Sequence, residues 1–141
     1  MWPQVRTMCV ATFAGRVEQP GIGGMITEAL REEVARYGKV RLTSCDAADA
    51  VLEGEVASYK LSPVSFASAE FAAEFRVVVK LKARLVQRET NEVLWEGSEL
   101  WSAEEYFIVP DLSYLVVAKK EASERVAKKL AQLISAELFA F

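Results

Sequence analysis

The sequence predicts an α/β fold, a two-layer sandwich in which two amphipathic helices pack on one face of a mixed, mostly antiparallel sheet. Three observations carry this. From Phe71 to Arg88 apolar and polar residues alternate: Phe71, Ala73, Phe75, Val77, Val79, Leu81, Ala83 and Leu85 share one face, and Glu74, Arg76, Lys80, Lys82, Arg84 and Arg88 share the other. Two segments instead repeat apolar residues at helical spacing. The length of 141 residues suits one domain over residues 1–141, with one core. The long elements then run β-α-β-β-β-α, and both helices cover the apolar sheet face.

Val5 to Phe13 is rich in β-formers and is the first strand. An irregular stretch, Ala14 to Gln19, and Pro20-Gly21 lead to a helix in which Ile22, Ile26, Leu30, Val34 and Tyr37 form the buried stripe. Glu28, Arg31, Glu32 and Arg36 take its wet side, and Gly38 stands where a left-handed C-terminal cap is wanted. A short strand, Val40 to Thr43, follows, so strand, helix and strand predict a right-handed crossover with the two strands parallel. Asp46 to Asp49 is a turn. Val51 to Leu61 is a strand in which Gly54 marks either a bulge or a close backbone approach, and Pro63 to Ala69 is a hairpin tip. After the long strand, Glu89 to Glu92 is a tight turn with Asn91 suited to a left-handed conformation. Val93 to about Trp101 returns the chain, Ser102 to Pro110 connects, and Leu112 to Leu138 closes it as a helix. Its expected stripe is Ala122, Val126, Leu130, Leu133 and Ile134, with Lys119, Lys120, Glu124, Arg125, Lys128 and Lys129 solvated.

Composition narrows function. The hydrophobic fraction of 52% and charged fraction of 26% are globular, and no apolar run has the length of a membrane helix or signal peptide. A net charge of −3 argues against nucleic acid as a partner. There is no histidine, which removes Ser-His-Asp and Cys-His nucleophile systems and the HExxH zinc site. No cofactor or metal is expected, and no enzyme activity. Cys9 and Cys45 are too few for a zinc cage. They are expected to be free thiols, a disulfide being open to them in an oxidising compartment if their strands are neighbours.

Gly21, Gly23 and Gly24 lie between strand and helix, as a dinucleotide loop would, but a GxGxxG match would need glycine where Ile26 stands. They are expected to give a flexible start to the helix. The acidic pairs Glu32-Glu33 and Glu104-Glu105 suit acid–base chemistry only if one member is desolvated, and are expected on a solvated helix face and in a loop. The candidate contact surface is the cationic ladder Arg76, Lys80, Lys82 and Arg84, with three readings: salt-paired sheet surface, protein-partner contact, or lipid-phosphate site. If Leu52 and Val56 face the core, Glu53 and Glu55 share the ladder's face. Trp95 and Trp101 share a face by parity, and one residue of register at the Glu89 to Glu92 turn exchanges them for Leu94 and Leu100, the latter placing Leu94 opposite Leu85.

Several segments resemble, in order and spacing, the lipopolysaccharide-assembly lipoproteins of the LptE family. They are Glu18-Gln19-Pro20-Gly21-Ile22 with Ile26-Thr27-Glu28-Ala29-Leu30, then Ala48-Asp49-Ala50-Val51-Leu52-Glu53-Gly54, then Leu61-Ser62-Pro63-Val64-Ser65-Phe66. Glu74-Phe75-Arg76-Val77, Val93-Leu94-Trp95 and Glu104-Glu105-Tyr106-Phe107 complete the likeness. The resemblance implies a lipoprotein at the periplasmic face of the outer membrane of a Gram-negative cell. It implies attachment to the membrane only through an acylated N-terminal cysteine upstream of Met1, a role not assigned to Cys9. It further implies that the protein plugs the β-barrel LptD and helps bring lipopolysaccharide to the cell surface. Family contacts to lipopolysaccharide through basic residues near the loop ends are not matched here, because 62–69 and 108–115 contain no lysine or arginine. The alternative is a different periplasmic α/β lipoprotein that docks on and activates a peptidoglycan synthase.

Overall fold

The computed structural model describes residues 2–15, 21–66, 72–107 and 112–140. Expectations for the segments at 16–20, 67–71 and 108–111, including Phe71 and the part of the hairpin tip beyond Phe66, and for the side chain of Ala73, lie outside the described residues. The elements are β1 (Thr7–Val10), α1 (Ile22–Tyr37), β2 (Arg41–Leu42), β3 (Ala50–Phe66), β4 (Ala72–Gln87), β5 (Val93–Phe107) and α2 (Leu112–Leu138). They form one five-stranded sheet of order β2-β1-β3-β4-β5. β1 is parallel to both β2 and β3, and β3, β4 and β5 make the expected antiparallel meander.

The long-strand parity holds in full across the described side chains. Val77, Val79, Leu81, Ala83 and Leu85 are buried, while Arg76, Lys80, Lys82 and Arg84 are exposed. The buried face lies under α1 residues Ile22, Ile26, Leu30 and Val34 and under Ala122, Val126, Leu130 and Ile134 of α2. Leu133 departs from the expected stripe, being 42% exposed. α2 turns its small residues Ser123, Ala127, Ala131 and Ser135 inward, where they allow close helix approach, and this rotates Leu133 out. Tyr37 is also partly exposed and packs on Phe139, ring centroids 5.1 Å apart.

Gly54 keeps regular register with Ala83, and the bulge lies beyond it between Val56 and Ser58. Its missing Cβ leaves room for the buried ring of Phe13, which a Cβ would meet at 2.6 Å. Gly54 is therefore a close approach. Gly23 is similar: a Cβ there would strike the Phe13 carbonyl. Thr27 Oγ1 accepts from Phe13 N at 2.9 Å and donates to Gly23 O at 2.7 Å, so the glycine stretch docks α1 onto the chain leaving β1 and is not merely a flexible start. Gly21 and Gly38 flank the helix with φ of 82 and 67, the latter the expected left-handed cap. Asn91, φ 59, takes the left-handed turn position.

Asp49 explains the turn before β3. Its Oδ2 accepts from the main-chain N–H of Arg6 at 2.9 Å and of Thr7 at 3.1 Å, and Thr7 Oγ1 accepts from Asp49 N at 2.9 Å. These bonds hold the Asp49 carboxyl below the usual carboxylate range. Ala48 beside it is fully buried.

Several strand bounds and the thiols differ from expectation, β1 and β2 being shorter than Val5 to Phe13 and Val40 to Thr43. β3 runs on through Pro63 to Phe66 and β5 through Ser102 to Phe107, because each is paired with the distal half of β4, β5 in unbroken register and β3 through two register shifts after Pro63. Pro63, which lacks an N–H, is tolerated because among the described residues β3 has a strand on only one side there. Cys9 and Cys45 are joined in a disulfide, with Cα atoms 4.9 Å apart. The parallel β1–β2 register of Met8 with Leu42, and the Thr43 N to Met8 O bond of 3.0 Å, carry the chain after β2 alongside β1 and bring Cys45 to Cys9.

Candidate functional site: the outer face of the sheet

Three long strands build the face away from the helices. Across β3, β4 and β5 its rows read Glu53, Arg84 and Glu96, and, beyond the bulges, Ser58, Lys80 and Trp101. Lys60, Val78 and Ala103, and then Ser62, Arg76 and Glu105, follow toward the distal end. Leu52 and Val56 are buried, so Glu53 and Glu55 share the ladder's face as expected.

The ladder divides into paired and unpaired members. Arg84 Nε donates to Glu53 Oε1 at 2.6 Å, and Arg76 donates through Nε and Nη2 to Glu105 Oε1 at 3.1 and 2.6 Å. All four side chains are more than a third exposed, so each pair contributes at most about 1 kcal/mol. Glu105 lies below the usual carboxylate range chiefly through its bond to Arg76, and Glu74 lies above it through its contact with Glu105. Lys80 and Lys82 form no ion pair among the described residues. Lys80 stands between Ser58 and Trp101, and Lys82 stands in register with Glu55. Beside them a shallow groove of about 560 Å³ is lined by Thr12, Glu53, Glu55, Lys82, Arg84 and Glu96.

Trp101 joins this surface, 60% exposed beside Lys80, while Trp95 packs against the core opposite Leu85. The two do not share a face. One bulge falls at Leu94, so that Trp95 and not Leu94 opposes Leu85, and a second between Gly97 and Leu100 reverses the parity, leaving Leu100 inward and Trp101 outward. Toward the distal end Leu61, Val64, Phe66 and Phe107 are also exposed, as are Val116 and Val117 in the first turns of α2.

The acidic pairs are not both solvated. Glu33 is buried and bonded to Arg36 at 2.6 Å. Glu104 lies on β5, not in a loop, and turns toward α2, where it pairs with Lys129 and, at 3.7 Å, with Arg125. The Lys129 hydrogen bond is the main cause holding its carboxyl down, the reverse of what a general acid needs. These residues fasten α2 to the sheet edge, as does Tyr59, whose hydroxyl lies 3.0 Å from Ser123 Oγ and whose ring has Lys119 Nζ 5.9 Å from its centroid. Burial pushes the Tyr59 hydroxyl pKa up. Sequence reasoning missed Glu104, Glu105 and Phe107 as strand residues. The period-two alternation of Trp101, Ala103, Glu105 and Phe107 with Ser102, Glu104 and Tyr106 was the available signal.

The family model for lipopolysaccharide assembly, LptE, matches residues 5–138, nearly the whole chain. The chain belongs to the LptE family. No curated protein matches it. Among solved structures, a protein from Caulobacter crescentus described as a lipoprotein shares its fold with a TM-score of 0.68 at 18% identity, over 93% of this chain and 86% of that one. Lipoprotein B from Nitrosomonas europaea matches with a TM-score of 0.64 at 16% identity, covering 100% of this chain and 90% of that one. A minor lipoprotein from Acinetobacter baumannii matches at 0.61 and 14% identity, over 96% and 94%. At such identities these likenesses show the fold, and membership of the LptE family rests on the family match. As an LptE-family chain, it is an envelope protein of the lipopolysaccharide-assembly type.

Proposed function

We propose that this LptE-family chain is a non-enzymatic outer-membrane lipoprotein that occupies the lumen of an LptD-like β-barrel and assists delivery of lipopolysaccharide to the cell surface. A lipid anchor upstream of Met1 holds it on the periplasmic side. The observation that carries the reading is the centre of the outer sheet face, where Lys80 and Lys82 are exposed, free of ion pairs among the described residues and bordered by exposed Trp101. A charged, aromatic surface of this kind suits a partner wall with acidic or polar groups, and charge there governs encounter and register. The neighbouring arginines are already satisfied by Glu53 and Glu105, so the two lysines are the members best placed to meet a partner.

Replacing Lys80, Lys82 and Arg84 together by glutamate tests the reading, since like charge against a partner costs more than lost attraction. The variant is expected to fold, with a lower melting temperature, because all three side chains are exposed: losing the Arg84–Glu53 pair costs at most about 1 kcal/mol, and the new carboxylates set against Glu53, Glu55 and Glu96 each add a repulsion of about that size or less. It is expected to lose co-purification with the barrel from detergent-solubilised outer membrane. A folded variant recovered with its barrel at wild-type yield would move docking away from this face, and recovery of a peptidoglycan synthase in place of a barrel would overturn the assignment.

A further inference from the structure

The end of the sheet opposite the exposed apolar residues carries a different chemistry. Trp2, Pro3, Arg6, Gly38, Lys39 and Arg41 line a groove of about 540 Å³ floored by buried Val5 and Val40. Arg6 leads into β1, while Lys39 and Arg41 follow α1. The parallel register of Thr7 with Arg41, and the 3.0 Å bond from Arg41 N to Arg6 O, bring the three cations together. All three are exposed, and none forms an ion pair among the described residues. Asp49, whose charge is felt by Arg6, is engaged chiefly with the main-chain N–H groups of Arg6 and Thr7. Between Glu33 and Asp46 the sequence holds Arg36, Lys39 and Arg41 and no acidic residue, in a chain whose net charge is −3. Trp2 lies partly buried against the core at the rim of this groove.

The chain path gives this end its orientation. β1 runs parallel to β3, so the described chain, from Trp2 on, enters the fold at the cationic end. The 17 residues of β3 place Phe66 roughly 55 Å away at the other. We propose that the Arg6, Lys39, Arg41 and Trp2 surface docks on an anionic phospholipid bilayer. The cations meet headgroup phosphates and the indole lies at the interface, as interfacial tryptophans do. The proposal rests on the lipoprotein reading for its orientation, since an anchor upstream of Trp2 would hold this end against the membrane. It adds a protein contact to an attachment otherwise expected through the anchor alone.

The test uses the chain without an anchor, sedimented at low salt with vesicles of equal parts phosphatidylglycerol and phosphatidylcholine, or of phosphatidylcholine alone. Binding is expected to the anionic vesicles only and to fall with salt. Each basic residue near such a surface contributes about fivefold, so Arg6→Gln, Lys39→Gln and Arg41→Gln together are expected to lower partitioning roughly 100-fold. An unchanged melting curve would show that the variant folds. Lys80→Gln with Lys82→Gln is expected to stay within about twofold of wild type. Absence of wild-type binding to anionic vesicles, equal binding by the triple variant, or loss through Lys80 and Lys82 instead would overturn the proposal. So would displacement by inorganic phosphate at matched ionic strength, which would mark a discrete phosphate site and not a bilayer surface. Co-purification of the triple variant with the barrel keeps the two readings separate, because vesicle docking can fail while the barrel complex persists.

Discussion

Replacing Cys9 and Cys45 together by alanine removes a crosslink that spans 36 residues of sequence, enclosing α1 and β2. In the chain-entropy model a loop of that size restricts the unfolded chain by about 13 cal/mol/K, or about 4 kcal/mol at 25 °C. Cys9 is buried, so the smaller alanine also forfeits some packing, whereas Cys45 is exposed and its replacement costs little beyond the crosslink. For a chain of this length the unfolding entropy near 60 °C is roughly 0.3 kcal/mol/K, which turns that loss into a fall in melting temperature of about 13 °C. The Asp49 clip to Arg6 and Thr7 remains in the variant, so β1 stays in place and the native fold is retained at low temperature. The assay is a far-ultraviolet circular dichroism melt of oxidised wild type, reduced wild type and the double variant, with mass spectrometry of a digest to establish the bridge. Reduced wild type and the variant are expected to melt together, well below the oxidised protein. If the bridged protein and the variant melt within about 3 °C of each other, loop entropy is not what the bridge contributes. Recovery of free thiols from protein exported to an oxidising compartment would remove the bridge itself.

Val79→Asp places a carboxylate at a fully buried position between Tyr59 and Ser102, and is expected to cost roughly 4 kcal/mol or more; a melt close to wild type would mean that the parity of β4 is wrong. Gly54→Ala drives a Cβ into the Phe13 ring and the Lys82 carbonyl, with an expected loss of about 1–3 kcal/mol in urea unfolding. Acid sensitivity follows from Asp49 and Glu104, both held below their usual range in the folded chain. Their contribution is complete above the unfolded values near pH 4 and is lost as pH falls through the lower folded values. Asp49→Asn is therefore expected to melt below wild type at neutral pH and to converge on it in strong acid; parallel curves throughout would show that Asp49 does not supply the acid limb.

The sequence by itself determined the long β4 strand, both helices and the parallel crossover, because these rest on local signals. Period-two alternation fixes which face of Val77 to Leu85 is buried whatever lies beside it, and helical spacing does the same for Ile22 to Val34. The exposed positions of Arg76, Lys80, Lys82 and Arg84 were legible for the same reason. Which of them are satisfied was not, since that depends on register with Glu53 and Glu105, 31 and 29 residues away. Tertiary structure alone separated Trp95 from Trp101, because bulges at Leu94 and between Gly97 and Leu100 each shift the pairing, and a sequence pattern cannot show which residue a ladder skips. β5 from Ser102 to Phe107 was legible in part, since its period-two alternation stands in the sequence, but its strand propensity is weak and pairing with β4 decides it. The Cys9–Cys45 bridge and the Arg6, Lys39 and Arg41 cluster have a common physical origin. Both join the start of the chain to the segment after α1, and only the parallel β1–β2 register brings those two stretches side by side.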